Sequence, residues 1–315
     1  MSVIICAVVK NAAKRLKLNL DLALETGKKF DSYQIVIYEN NSTDETKSIL
    51  KSYESPQVKI ISEDFSAEEI KKSQWKGYER HSFSFEGRKA FVTLPKQAAE
   101  AKPWIWRARF PGWHTEMDAI LLEKGFHIVY ADVAGLLGSP KAVSHWDKFY
   151  PFITEKYGLA KEMTIECVSR GGLISFNWAK QNPEKVNAIY AEAPVCDIKS
   201  WPGGKGKGDG AKAQWVQAQK AYEMDEAGLM AWKGNPIDDI ALLAKAGVPL
   251  FFVIHKDDII VPNVENTELL VKKYREAGGE AQVHVHTGES KSKGHHFKIE
   301  KIDEAVEFIL KNSKK

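Results

Sequence analysis

Short apolar runs alternate with amphipathic stretches over the first sixty residues of the chain. The runs "VIICAVV", "YQIVIYE" and "QVKIIS" have the length and β-branched content of buried strands. Residues 12–28 and a shorter stretch from Asp44 carry apolar residues at helical spacing. Strands that alternate with helices usually form a parallel sheet, so the pattern predicts a small βαβαβ module over residues 1–65.

A second and longer pattern begins at residue 66. Residues 66–74 are polar and are predicted to form a linker or a short helix. Apolar and polar positions then alternate on both sides of "EGR", which predicts an antiparallel hairpin. The strands that follow alternate with helices: "WIWRARF", "HIVYADV", "MTIECV", "AIYAEAP", "VPLFFVIH" and "AQVHVHT". An antiparallel start followed by βα units predicts an α/β-hydrolase fold for residues 66–315, with a mostly parallel central sheet flanked by helices.

Composition limits the classes of partner. The 315 residues include 45 Lys and Arg against 42 Asp and Glu, so the charge balance gives no sign of nucleic-acid binding and favours a small-molecule substrate. The three cysteines lack the spacing of a disulfide framework or a metal site, and neither a metal nor another cofactor is predicted. The apolar run at the N-terminus is too short for a secretory signal or a membrane span, which predicts a cytoplasmic protein with no membrane partner.

The stretch "IECVSRGGL" places Ser169 where a predicted strand meets a predicted helix. Such a turn resembles the G-x-S-x-G nucleophile elbow, although Cys167 stands in place of the first glycine. Asp258 follows the strand "VPLFFVIH", and His295 follows the last strand, which gives the chain order Ser, Asp, His of α/β-hydrolases. A serine hydroxyl becomes nucleophilic when a histidine accepts its proton and a carboxylate orients that histidine. We therefore predict Ser169 as nucleophile, His295 as base and Asp258 as the orienting carboxylate.

Neighbouring residues leave alternatives open at each of these positions. Asp257 adjoins Asp258 and His296 adjoins His295, so either pair offers a second candidate. Ser169 alone would also suit the start of the following helix. Cys167 is predicted to be a packing variant of the elbow rather than a nucleophile, and distortion of the elbow by its side chain is the alternative.

Residues around the predicted nucleophile supply candidates for the rest of the site. The oxyanion hole is predicted to use the backbone N–H of Arg170 and a second N–H from Arg109 or Phe110. Predicted substrate contacts are Arg107, Trp113 and, in the segment "APVCDIKSWPGG", Asp197 and Trp201. Guanidinium groups suit an anionic substrate, and tryptophan rings suit sugars or aryl groups.

Purely structural roles are the alternative for some of these side chains. Arg107 and Arg109 would then pair with buried carboxylates such as Asp132 or Glu192. The tryptophans Trp104 and Trp106 would fill the core.

Several longer segments resemble a bacterial group of α/β-hydrolases allied to prolyl-oligopeptidase-type and dienelactone-hydrolase-type serine hydrolases. They include "RKAFVTLPKQA", "PWIWRARFPGW", "ILLEKGFHIVYADVAGLLGSPKAV", "SRGGL" and "YAEAPVCDIKSWPGG". The resemblance covers about residues 75–315 and departs from the related pattern at Cys167. It implies a serine-hydrolase mechanism and the roles of Ser169, Asp258 and His295.

The opening of the chain carries a different resemblance. "AVVKNAAKRL" and "IVIYENNSTDET" are similar to the start of an inverting nucleotide-sugar glycosyltransferase, which implies a nucleotide near residues 40–44. The segment "SED" at Ser62–Asp64 does not supply the acidic D-x-D pair that holds a divalent metal in such enzymes. The first module is therefore predicted to be a truncated, glycosyltransferase-like fragment.

These observations predict a serine hydrolase of esterase type that forms an acyl-enzyme and acts on a small-molecule ester, either acidic or linked to a carbohydrate. Peptidase activity is less favoured. One alternative is an impaired pseudo-hydrolase that binds a ligand without turnover, and another is a protein that binds nucleotide sugars through residues 1–65.

Overall fold

The computed structural model of the protein describes residues 1–40, 42, 44–62 and 70–313. The chain divides into two compact units, Met1–Ser66 and Ala67–Lys315. The predicted boundary at residues 65 and 66 lies outside the described residues and stays a prediction, and Glu63 and Asp64 of "SED" also lie outside them.

The first unit has the predicted βαβαβ order. Its elements are β1 (Ser2–Val9), α1 (Ala13–Gly27), β2 (Ser32–Glu39), α2 (Thr46–Tyr53) and β3 (Val58–Ser62). The three strands are parallel and lie in the order β1-β2-β3. Apolar side chains from both helices and from β2 and β3 form its core: Leu16, Leu20, Ile35, Ile37, Leu50 and Val58.

The second unit is built on a sheet with nine described strands. Its elements are β4 (Lys71–Trp75), β5 (Tyr78–Phe85), β6 (Arg88–Thr93), β7 (Trp104–Arg107), α3 (Glu116–Glu123), β8 (His127–Ala131), α4 (Pro140–Tyr157), β9 (Met163–Val168), α5 (Gly171–Ala179), β10 (Val186–Glu192), α6 (Lys212–Tyr222), α7 (Glu226–Ala231), α8 (Ala241–Lys245), β11 (Leu250–His255), α9 (Thr267–Glu276), β12 (Ala281–His286), β13 (Ser290–Lys291), β14 (His296–Phe297) and α10 (Ile302–Asn312). Strands β13 and β14 pair separately as a small antiparallel ribbon.

The strand order of the large sheet is β12-β11-β10-β9-β7-β8-β6-β5-β4. Strands β4, β5, β6 and β8 pair antiparallel, whereas the strands from β8 to β12 pair parallel. The predicted antiparallel entry and the repeated βα units are therefore confirmed. Because β7, β9, β10 and β11 are parallel neighbours, the loops after their carboxyl ends meet at one edge of the sheet.

One element differs from the sequence prediction. Residues 71–74, predicted as linker or short helix, belong to the edge strand β4, where pairing with β5 satisfies the backbone and the exposed lysines suit an edge. Helix α9 follows a single 3-10 turn at Asn263–Glu265. Asn266, between this turn and the helix, has φ −120° and ψ −96°, and its side-chain oxygen accepts the backbone N–H of Cys196 at 2.8 Å.

The core of the second unit contains the tryptophans near the start of the parallel sheet. Trp104 and Trp106 are 1% and 0% exposed, and Trp106 stacks on Trp146 with the ring centroids 4.0 Å apart. Both side chains therefore fill the core, which was the alternative to a role in substrate binding, and neither is accessible to a substrate. The described helices are all too short or too polar to span a lipid bilayer.

Candidate active site

Ser169 lies in a sharp turn between β9 and α5. Its φ of +52° is in the left-handed region, which residues other than glycine rarely adopt. The turn is fixed by the backbone, since Ser169 N donates to Glu192 O at 2.8 Å and Ser169 O accepts from Gly172 N and Val195 N at 3.0 and 2.8 Å. A strained serine held from both sides is the local geometry of a nucleophile elbow.

A continuous hydrogen-bond chain joins Ser169 to His295 and Asp258. His295 Nε2 lies 2.8 Å from Ser169 Oγ, and His295 Nδ1 lies 2.7 Å from Asp258 Oδ2. A carboxylate only accepts hydrogen bonds, so Nδ1 donates to Asp258 and Nε2 is left to accept the serine proton. The other oxygen of Asp258 accepts from the backbone N–H groups of Ile260 and Val261, which fixes the carboxylate.

The loop that carries His295 depends on the glycine before it. Gly294 has φ +90°, and a Cβ at this position would lie 2.2 Å from the carbonyl oxygen of Asp257. Only glycine allows the two loops to approach this closely.

The structure brings Asp258 and His295 together rather than their neighbours. The Asp257 carboxylate pairs with Lys256 at 2.8 Å, and 62% of its side chain is exposed. His296 Nδ1 lies 2.9 Å from Ser292 Oγ, and its ring contacts Trp113 with the centroids 4.9 Å apart. His296 therefore lies at the edge of the site without contacting Ser169.

The loop after β7 lies directly against the elbow. A Cβ added at Gly171 would come within 3.0 Å of the Cβ of Arg109. Within the described part of the chain, the backbone N–H groups of Arg109, Phe110 and Arg170 donate to no other residue. Donors that are free and preorganised beside a serine are what an oxyanion requires.

Solved structures that superpose on this chain include a peptidase, an esterase and a hydrolase. The Pyrococcus horikoshii acylaminoacyl peptidase superposes with a TM-score of 0.54 and 15% identity, covering 87% of this chain and 44% of the peptidase chain. Acetyl xylan esterase 1 from Thermoanaerobacterium sp. JW/SL YS485 gives 0.55 and 15%, with 79% and 88% covered. The S-formylglutathione hydrolase from Agrobacterium tumefaciens gives 0.56 and 16%, with 78% and 99% covered. The second unit has the α/β-hydrolase fold.

This chain spans less than half the length of the peptidase. Residues 2–66 match the family model of glycosyl transferase family 2, so the predicted resemblance of the first unit is confirmed. A comparison with curated proteins found no match.

Arg107 does not reach the surface of the α/β-hydrolase fold, so its predicted contact with substrate is wrong. The side chain is fully buried, and Nη1 lies 2.6 Å from Asp118 Oδ2 and 3.0 Å from Glu166 Oε1. Burial opposes the charge of Arg107, but the two carboxylates outweigh it and raise the pKa of the guanidinium. Burial raises the pKa of Glu166 well above its ordinary value, against the effect of Arg107.

The buried arginine instead supports the loop that carries the free N–H groups. Arg107 Nη2 donates to the carbonyl oxygens of Phe110 and Trp113 at 3.3 and 2.5 Å. Its carboxylate partners are Asp118 and Glu166 rather than Asp132 or Glu192, the pair named in the structural alternative.

Glu192 ends strand β10 and holds the far side of the same loop. Its carboxylate is 2% exposed and accepts from Trp113 Nε1 at 3.2 Å, and its second oxygen lies 2.8 Å from His114 Nδ1. Sequence reasoning gave Glu192 no role at the site, although a charged residue inside the apolar strand "AIYAEAP" was a signal for one. Trp113 is half-buried, and its ring contacts that of His296.

The remaining predicted contacts lie in the segment that follows β10. The Trp201 ring centroid is 5.8 Å from the guanidinium carbon of Arg170, which is itself partly exposed. Asp197 Oδ1 accepts from the backbone N–H of Lys199 at 2.9 Å, and burial raises the pKa of this carboxyl. Asp197 thus stabilises its own turn, and its contact with a substrate stays a prediction.

Cys167 lies next to the glycine on the opposite side of the elbow. Its side chain is fully buried, and a Cβ at Gly171 would lie 3.5 Å from the Cβ of Cys167. Burial raises the pKa of the Cys167 thiol to about 12, which leaves it protonated near neutral pH. The cysteine therefore acts as a small apolar side chain, and the hydrogen bond between Ser169 and His295 is made in its presence.

Proposed function

We propose that the protein is a serine hydrolase that cleaves carboxylic esters through an acyl-enzyme. The observation that carries this proposal is the hydrogen-bond chain from Ser169 Oγ through His295 to Asp258, with Ser169 in the left-handed turn of an elbow. The fold of the second unit, which acetyl xylan esterase and S-formylglutathione hydrolase share, supports it.

Each residue has a defined part in the proposed reaction. Ser169 Oγ attacks the carbonyl carbon of the ester while its proton passes to His295 Nε2, and the carbonyl electrons move onto the oxygen. Asp258 stabilises the imidazolium that forms. The tetrahedral intermediate then expels the alcohol, which takes the proton from His295, and the acyl group remains on Ser169. Water repeats the steps in the second half-reaction and releases the acid.

The oxyanion of the intermediate is proposed to bind backbone N–H groups. Arg170 N follows the nucleophile directly, and Arg109 N is proposed as the second donor because residue 109 lies beside Gly171 at the start of α5 and its N–H donates to no other described residue. Donors aimed at a developing charge in a partly buried site supply much of the catalysis in this class of reaction.

Carboxylic esters are proposed as the substrate class, and amides are the alternative that the comparison of turnover rates below tests. The arginine and tryptophan side chains near Ser169 favour an ester that also carries an acidic group or a sugar.

Labelling with a fluorophosphonate probe tests this function. We expect one covalent adduct by intact mass, mapped to the peptide that contains Ser169, and no adduct in Ser169→Ala. Ser73→Ala on the exposed edge strand β4 is the matched control and should label like the native protein. A folded native protein that neither labels nor hydrolyses 4-nitrophenyl acetate would refute the proposal. Faster turnover of that ester than of 4-nitroacetanilide separates esterase from amidase activity.

The match of residues 2–66 to glycosyl transferase family 2 favours a second candidate function, the binding of a nucleoside diphosphate near residues 40–44. In this segment Asp44 accepts from the backbone N–H groups of Ala13 and Thr46 at 3.2 and 2.9 Å, and Asn41 and Thr43 lie outside the described residues. Calorimetric titration with uridine diphosphate and guanosine diphosphate tests it, and no heat of binding with either would count against it.

A further inference from the structure

Two arginine side chains share one aromatic ring beside Ser169. The guanidinium carbons of Arg109 and Arg170 lie 4.4 and 5.4 Å from the centroid of the Phe110 ring. Arg170 also lies 5.8 Å from the centroid of the Trp201 ring. All four side chains are partly exposed, as is Ser169, so a ligand at the serine has access to them.

Neither guanidinium has a carboxylate partner in the part of the chain that the structure describes. All ion pairs found there, with N···O distances within 4.0 Å, are formed by other residues. A polar neighbour of Arg109 is the Tyr130 hydroxyl, which itself donates to Asp132 Oδ1 at 3.0 Å. The same oxygen of Asp132 accepts the backbone N–H of Ala134 at 3.0 Å. This nearby carboxylate is therefore engaged by its own turn.

Arg107, two residues before Arg109, shows how the protein compensates a buried guanidinium. It has two carboxylate partners. Among the described residues, the neighbours of Arg109 and Arg170 are instead aromatic rings, each other and, for Arg109, the Tyr130 hydroxyl. Burial and the charge of Arg109 lower the pKa of Arg170, because two like charges that have partly lost water destabilise each other. Binding of an anion removes this repulsion.

We propose that Arg109 and Arg170, with Phe110 and Trp201, form a subsite for a carboxylate carried by the ester substrate. Guanidinium groups bind carboxylates through paired, charge-assisted hydrogen bonds, and the rings beneath them hold the planar groups in place. Arg170 directly follows the nucleophile, so the carboxylate and the ester belong to the same small molecule. This inference rests on the proposed hydrolase function and names the substrate class of that site.

Matched pairs of esters test the subsite and locate the charge. The first pair compares 4-acetoxybenzoate with the neutral 4-acetoxybenzamide, and its carboxylate is on the alcohol part of the ester. The second pair compares mono(4-nitrophenyl) glutarate with the neutral 4-nitrophenyl butanoate, and its carboxylate is on the acid part. After subtraction of uncatalysed hydrolysis, we expect kcat/KM to favour the anionic member of one pair by about tenfold or more, the effect of a charged hydrogen bond.

The arginine variants should abolish this preference. In Arg170→Gln and Arg109→Gln the ratio of kcat/KM values should fall to about twofold or less, mainly through KM for the anionic ester. The backbone N–H groups proposed for the oxyanion are unchanged in both variants. Arg170→Lys, which keeps the charge without the planar fork, should restore part of the ratio. Arg275→Gln on the exposed face of α9 is the matched control and should keep the native ratio.

Failure of the subsite and failure of the hydrolase proposal give different results. If Ser169 labels with fluorophosphonate but both members of each pair react equally, the subsite is wrong and the hydrolase proposal stands. If the protein neither labels nor turns over, the hydrolase proposal fails, and calorimetric titration of Ser169→Ala with glutarate at low salt decides the subsite. Binding that is lost in Ser169→Ala/Arg170→Gln supports it, and the absence of binding overturns it.

Discussion

The backbone N–H of Ser169 donates a hydrogen bond to the carbonyl oxygen of Glu192, 2.8 Å away. The carboxylate of the same glutamate accepts from Trp113 and His114, on the loop that carries the free N–H groups. Glu192 therefore holds the elbow through its main chain and this loop through its side chain, which fixes the two relative to each other.

Replacement of Glu192 by glutamine should separate these two roles. The backbone bond to Ser169 remains, whereas the charged acceptor for Trp113 and His114 is lost. We expect the free energy of unfolding to fall by about 1–2 kcal/mol and kcat for a neutral ester to fall several-fold, with KM nearly unchanged. Urea unfolding and steady-state kinetics measure the two effects, and Glu268→Gln on the exposed face of α9 is the control. A loss of stability with native kcat would mean that Glu192 is structural only.

Loss of the buried arginine should be more costly. Arg107→Met leaves Asp118 and Glu166 buried without a counter-charge, and we expect a loss of about 3–5 kcal/mol in the free energy of unfolding. All nine tryptophans lie after residue 66, so tryptophan fluorescence during urea unfolding reports on the second unit alone. The double variant Arg107→Met/Asp118→Asn should lose less than the sum of the single losses, because one uncompensated charge is removed. Strict additivity would argue against the ion pair.

The buried thiol at the elbow should be unreactive and dispensable. Cys6 is exposed, whereas Cys167 and Cys196 are buried, so iodoacetamide should modify only Cys6 in the folded protein. Cys167→Ala should keep the rate of fluorophosphonate labelling within about threefold, because alanine also fits beside Gly171. Mass mapping and labelling kinetics measure these outcomes. A rise of more than tenfold in the Cys167→Gly variant would show that the cysteine strains the turn.

His127 should make the second unit sensitive to mild acid. Burial lowers its pKa to about 4 from the ordinary 6.5, so the folded protein holds the ring neutral. Below pH 6.5 the unfolded chain binds a proton at His127 that the folded protein does not bind. The contribution of the neutral ring to the free energy of unfolding is therefore complete above pH 6.5 and is lost as the pH falls toward 4. Between pH 7 and pH 5 the loss is roughly 2 kcal/mol. His127→Leu should therefore lose less stability over this range than the native protein, as measured by urea unfolding at each pH. Parallel losses would contradict the assignment.

The sequence was sufficient for features that depend on chain order and local periodicity. The strand "MTIECV" was predicted with its observed bounds, Met163–Val168, because an apolar run followed by Ser169 and two glycines marks both the strand end and the helix start. Ser169, Asp258 and His295 were predicted because each follows a strand, and the ends of parallel strands meet at one edge of the sheet.

The sequence alone did not predict which residues far apart in the chain pair with each other. Arg107 and Arg109 are two positions apart and share the same sequence context, yet only Arg107 meets two carboxylates. One of these lies on α3 and the other on the adjacent strand β9, and their proximity arises from the strand order rather than from any local pattern. The choice between His295 and His296 likewise depends on how the loop after β12 approaches the elbow.

The packing of Cys167 against Gly171 bears on how such turns are found in other genomes. A search that requires glycine two residues before the serine passes over this chain. The glycine two residues after the serine is retained as Gly171, where a Cβ would come within 3.0 Å of the Cβ of Arg109. A search profile that requires this second glycine and admits other small residues at the first position would retain chains such as this one.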